Sequence, residues 1–80
     1  MQGSEKMNSQ EISLPRYKLI YTYGSIRIIG YYTISSYEEE MIIIKCLNDS
    51  ILISGDTLVI TLLSADEIHI NGNISAVSFA

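Results

Sequence analysis

Few side chains in this sequence are of the types that do chemistry, and their spacing decides what they can do. Cys46 and His69 are the single cysteine and the single histidine among 80 residues. A cysteine nucleophile needs an adjacent base and an electropositive setting that holds the thiolate. Alternation along residues 41–47 turns Lys45 outward and Cys46 inward with Ile42 and Ile44, so Cys46 reads as a small core residue. His69 stands between Ile68 and Ile70 on a strand, facing solvent, with no motif partner for proton transfer. One Cys and one His supply neither an internal disulfide nor a structural zinc set. Glu38-Glu39-Glu40 could collect a cation, but a carboxylate run at a strand boundary more often serves as a solvated turn. Six tyrosines could stack bases or sugars, yet tyrosine is also common on half-buried sheets. Gly24 and Gly30 stand singly at strand ends and do not have the spacing of a phosphate loop. The expectation is a non-enzymatic protein with no catalytic residue, no cofactor and no metal. A small ligand-binding module using a tyrosine-rich face is the alternative.

The whole composition narrows the partners. A net charge of −4 disfavours nucleic acid and electrostatic docking on an anionic membrane. The 48% of hydrophobic residues is ordinary for a folded domain. A chain of this length buries only about 60% of the surface it exposes when unfolded, so association is the most available extra support. The opening MQGSEKMNSQE is polar and lacks the apolar stretch of a leader. The longest apolar run, residues 41–44, is far short of the ~18 residues of a spanning helix. These features lead to the expectation of a cytoplasmic chain, and a lone cysteine suits a reducing compartment.

The elements that must carry these residues read as strands. Residues 1–13 are expected to be a flexible lead-in, and residues 14–80 one all-β domain. Leu14-Pro15 sets an extended entry. Tyr17, Leu19 and Tyr21 alternate along a short edge strand, Tyr23-Gly24-Ser25 turns, and Ile26-Arg27-Ile28 follows, so the N-terminal part forms a hairpin. Ser64 and Glu67 have capping-box spacing, but no amphipathic run follows, so this corner reads as a turn. The dominant pattern is Ile-x-Ile-x-Gly, present as Ile51, Ile53 and Gly55 and again seventeen positions later as Ile68, Ile70 and Gly72. Leu58, Ile60 and Leu62 are expected to face inward after the first copy, and Val77 and Phe79 after the second. The recurrence predicts a short β-solenoid-like stack of about 17-residue coils with the N-terminal hairpin beside it. An antiparallel small barrel or sandwich is the alternative.

The chain ends in Ile74-Ser75-Ala76-Val77-Ser78-Phe79-Ala80, which is β-prone and carries no charge or proline. Such an edge templates pairing unless something covers it. Ile74, Ser75, Ala76 and Ser78 are therefore the candidate interface, in a homo-oligomer or with another protein.

From Leu14 to Phe79 the sequence resembles the YabP/YqfC family of sporulation proteins, and more closely its YqfC branch. The likeness lies in Leu14-Pro15-Arg16, Ile26-Arg27-Ile28, Tyr37 before the acidic residues and Ile42-Ile43-Ile44. It continues through Ile51-Leu52-Ile53-Ser54-Gly55, Leu58-Val59-Ile60 and residues 67–74, on to Val77 and Phe79. Gly30 and Asn48-Asp49 depart from the pattern of that branch. The resemblance implies production in the mother cell of an endospore-forming bacterium and no catalytic residues. It implies an assembly or scaffold component acting at or near the forespore envelope, with another sporulation protein or a membrane protein as partner.

Overall fold

Period-two alternation of buried and exposed residues favours a pleated, half-buried strand, and Tyr17–Thr22, Ser25–Gly30, Met41–Cys46 and the opening halves of the two longest strands show it. The computed structural model describes residues 9–13 and 16–80. Strands β1 (Ser9–Ser13), β2 (Tyr17–Thr22), β3 (Ser25–Gly30), β4 (Thr33–Tyr37), β5 (Met41–Cys46), β6 (Asp49–Leu63) and β7 (Glu67–Phe79) follow one another with no helix among the described residues. They form one unclosed sheet in the order β1-β2-β3-β7-β6-β5-β4, and each pair is antiparallel. The expected N-terminal hairpin is present as β2–β3, turning at Tyr23-Gly24. Ser9 to Ser13, expected as lead-in, pair instead with β2 from Ser9↔Thr22 to Ser13↔Lys18. Residues 1–8 and the Leu14-Pro15 entry lie outside the described residues.

The solenoid expectation is corrected here. Stacked coils need parallel neighbours with equivalent residues one above another, whereas Ile51 lies beside Phe79 and Ile68 beside Leu63. The seventeen-residue recurrence has a different cause. Each of the two longest strands opens with a buried Ile-x-Ile and then reaches a glycine where it bends. The barrel and sandwich alternatives do not describe the molecule either, since the single sheet neither closes nor divides into two.

A single sheet without a covering layer can bury a face only by folding over itself. Chain connectivity shows that it does. Tyr31 and Tyr32 alone link β3 to β4, a reach of about 11 Å. In a flat sheet these strands would stand four spacings apart, about 19 Å. The long β6–β7 hairpin is what bends. Extended, the 15 residues of β6 would span about 46 Å. Yet the Tyr17 hydroxyl donates to Asp49 Oδ2 at 3.0 Å, at the start of β6. Tyr17 itself pairs with Gly30, whose N–H donates to the Asp66 carbonyl at 2.8 Å, beyond the far end of β6. The two ends of the hairpin are therefore clasped together.

The bend sits where the two glycines of the repeat converge. Register shifts fall between Ser54 and Gly55, between Asp56 and Val59 and between Ile60 and Leu62. Such bulges kink a strand and increase its twist. A side chain on Gly72, at φ +145°, would lie 2.7 Å from the Thr57 carbonyl oxygen and 3.0 Å from Leu58 Cα. One on Gly55 would collide with the Asn73 carbonyl oxygen. Leu58 fills the space left between the glycines and is fully buried. Around it the folded sheet buries Leu19, Ile26, Ile28, Ile42, Ile44, Cys46, Ile51, Ile53, Ile68 and Ile70, with Tyr17 at the margin.

The bulges also correct the expected facing of later residues, because a one-residue shift exchanges the faces of a strand. Leu58 holds the central place expected of Ile60, which is only partly buried, and Leu62 is 41% exposed. Val77 packs against the core as expected, but Phe79 is 44% exposed.

Two outcomes follow from the bend and its clasp. Leu58→Ala should cost about 2–5 kcal/mol in urea denaturation, and Val59→Ala, next to it but 48% exposed, less than about 1 kcal/mol. Gly72→Ala should approach the Leu58 loss, because neither Thr57 nor Leu58 backbone can retreat. The clasp predicts a pH effect. Burial first, then the hydrogen bond to Asp49 and its charge, push Tyr17 from 10.0 up to about 12. A raised folded pKa contributes stability that is complete below pH 10 and lost as the pH climbs toward 12. Stability measured across that window should fall less steeply in Tyr17→Phe than in the wild type.

Candidate functional site

The residue types capable of chemistry are kept apart by the fold. Cys46 is fully buried, and burial first, then the negative charge of Asp49, push its thiol pKa up. That is the opposite of what a nucleophile needs. His69 lies on the other face of the sheet, with Nε2 2.5 Å from Glu67 Oε2. Arg27, its cross-strand neighbour, places Nε 3.4 Å from the same oxygen. This cluster holds no Cys or Ser nucleophile. Among the described residues no three metal-binding side chains gather, and the Glu38-Glu39-Glu40 side chains point into solvent.

The tyrosines are dispersed as well. Tyr17 is in the clasp, Tyr21 and Tyr23 lie at the β2–β3 end, and Tyr31 and Tyr32 form the β3–β4 link. The Tyr32 hydroxyl donates to the Ser64 carbonyl at 2.5 Å, tying that link to the β6–β7 turn. Tyr37 ends β4, where its hydroxyl accepts the Ile60 N–H at 3.2 Å.

What the bend does create is exposed backbone. It divides β6 and β7 into front halves, flanked on both sides, and back halves, flanked on one side only. Beyond Val59 no described strand pairs with the outer side of β6, and beyond Gly72 none pairs with the outer side of β7. The β6 edge is guarded at the bend and as far as Ile60. The Gly55 N–H donates to the Glu40 carbonyl at 3.1 Å, the Leu58 N–H to the Glu39 carbonyl at 2.8 Å, and Tyr37 takes Ile60. The acidic corner thus acts through its backbone as a cap, with its carboxylates keeping that edge soluble.

The β7 edge, residues 73–79, has no such guard among the described residues. Its last turn of pairing on that side is the Gly72 N–H to the Gly24 carbonyl at 3.1 Å. The sequence-predicted interface residues Ile74, Ser75, Ala76 and Ser78 all lie on it. Beside it runs a groove of about 290 Å³, with Ile12, Leu19 and Tyr21 on one wall and Ile74, Val77 and Phe79 on the other. The inner face of β1–β2 therefore extends past the edge of β7 and is not fully roofed, leaving Ile12 39% exposed. Sequence reasoning did not reach Ile12 or Tyr21 as groove residues, nor Tyr37 as a cap. The one legible signal was Ile12 itself, a lone apolar residue in the polar run SQEIS. An exposed β edge bordered by an apolar trough is the arrangement that accepts an added strand, with backbone hydrogen bonds for affinity and alternate side chains for fit.

Residues 20–80, about three quarters of the chain, match the model of the YabP family. Neither the curated proteins nor the solved structures include a match.

The inert setting of Cys46 has a direct readout. In native buffer a thiol reagent should label it roughly a hundredfold or more slower than in the urea-unfolded chain, since labelling must await opening of the sheet. Fast labelling of the native protein would return Cys46 to the list of reactive groups.

Proposed function

This chain belongs to the YabP family, and on that premise we propose that it is a non-enzymatic assembly or scaffold component of endospore formation. Family membership suggests a sporulation-related protein. The proposal adds that it acts in the mother cell, at or near the forespore envelope, and that it stands nearer the YqfC branch through residues 51–55 and 67–74. It also holds that no catalytic step is involved.

The observation that carries the scaffold reading is the unguarded edge of β7. A charge-free row of backbone donors and acceptors beside an apolar groove favours pairing with another chain. The neighbouring β6 edge, of similar composition, is capped from the bend to Ile60, so the contrast lies within one molecule. No helix of the described residues is long and apolar enough to cross a membrane.

Ser75→Lys with Ser78→Lys tests this in an endospore-forming host that carries the gene. Both positions are exposed, so the sheet should keep its circular dichroism spectrum. Two charges on the edge should nevertheless reduce heat-resistant spores to near the level of a gene deletion. His69→Ala should leave spore counts at the wild-type level. A folded double-lysine protein that supports full sporulation would remove the edge from the mechanism, and a folded His69→Ala protein that fails would reopen the search for chemistry.

A further inference from the structure

The edge reading leaves open what lies against β7, and the arrangement of edge and groove narrows it. We propose that the occupant is the same strand of a second copy, paired antiparallel across a two-fold axis, so that each copy's residues 74–79 also roof the other's groove. The inference rests on the interface assigned above and names its partner.

Three observations converge on a second copy. The first is charge. Each chain carries −4, so two copies repel over most of their surface, and residues 74–80 carry none of that charge. On the groove's own strands Glu11 and Lys18 form an ion pair at 3.5 Å, which leaves that wall close to neutral. A strongly basic or acidic partner would find no counterpart here.

The second is side-chain fit. A two-fold antiparallel pair places one residue opposite itself and its neighbours opposite one another. Centred on Val77, Ser75 meets Phe79 and Ala76 meets Ser78. Centred on Ala76, Ser75 meets Val77 and Ile74 meets Ser78. Ser75 is the extra residue of a bulge in β7, with Ser54 opposite Ala76 and Gly55 opposite Ile74, so the fit is firmest over residues 76–78, where Ala76 and Ser78 are small, uncharged and do not crowd one another.

The third is geometry. The groove lies on the open side of β7, between that strand and Ile12, Leu19 and Tyr21 of β1–β2. A strand added to the edge therefore enters the groove and covers this wall. Under two-fold symmetry the arrangement is reciprocal, and one contact closes both edges and both grooves. Head-to-tail growth would have to use the back half of β6, where the Tyr37 hydroxyl already takes the Ile60 N–H. Because the two-fold contact uses β7 of both copies, it cannot itself propagate.

Sedimentation equilibrium and a cysteine scan test the proposal together. The wild-type chain should sediment at twice its 9.0 kDa, and Ser75→Lys with Ser78→Lys at once that mass. Single cysteines introduced at positions 75 to 78 should form an intermolecular disulfide most readily at Ala76 or Val77. Only the axis brings a residue within about 4.4–6.8 Å of its own copy. Buried Cys46 should stay silent, with the wild type as control. A monomer at every concentration would overturn the proposal. If its double-lysine variant also loses spores, the edge remains an interface and only the second copy is excluded. A mass that keeps rising with concentration, or cross-linking through Val59→Cys, would replace the two-fold pair by head-to-tail assembly.

Discussion

The bend of the β6–β7 hairpin is the constraint on which the rest of the molecule depends. Seven strands in one sheet have a face to hide and no second layer to hide it under. Folding the sheet over itself is the remaining solution, and it requires the two longest strands to turn sharply at the same level. Gly55 and Gly72 permit the close approach, and Leu58 fills the angle between them. Once the hairpin is bent, the isoleucines of its two front halves meet those of β3 and β5 in one cluster. Tyr17, Asp49 and Tyr32 then fasten the ends.

The same bend generates the surface on which function is proposed. A straight hairpin inside a flat sheet would have neighbours along its whole length. A bent one moves its neighbours apart, so each long strand keeps a back half with one free side. The two free sides are treated differently. One receives backbone carbonyls from the acidic corner and a tyrosine hydroxyl, while the other is left bare beside a trough. Backbone groups left unpaired at a sheet edge are a standing invitation to another strand. Stability and assembly are thus linked, because a small sheet that bends to bury its core exposes the edge that can recruit a partner.

Much of this was legible in the residues. Isoleucine at every second position marked the strands and most of the buried set, while Gly55 and Gly72, which read as turns between short strands, lie inside two long ones that bend there. The direction of the strands was not legible. A recurrence says that two segments occupy equivalent environments, and stacked coils and opposed halves of a hairpin satisfy that equally well. Facing was lost after Gly55 for a related reason, since each bulge shifts the alternation and nothing in Thr57 or Thr61 announces one. Thr57 takes a positive φ of 52°, a position where sequence would lead one to expect glycine or asparagine. β1 escaped notice because SQEIS has one apolar residue, and its strand character comes from pairing with β2. The bare terminal strand was visible as an uncharged run, but the groove beside it needed the fold, because Ile12 and Phe79 are far apart in sequence. Family resemblance ran ahead of chemistry throughout, and the match over residues 20–80 bears it out at the level of the YabP family.

The claim that the hairpin is bent double can be measured as a distance. Nitroxide labels at Asn48 and Ala65 would mark the two ends of β6 in pulsed dipolar spectroscopy. The bent hairpin predicts a narrow distribution well below about 30 Å, because Tyr17 and Gly30 bridge the ends. A distribution centred near the length of an extended strand, about 46 Å, would contradict the account.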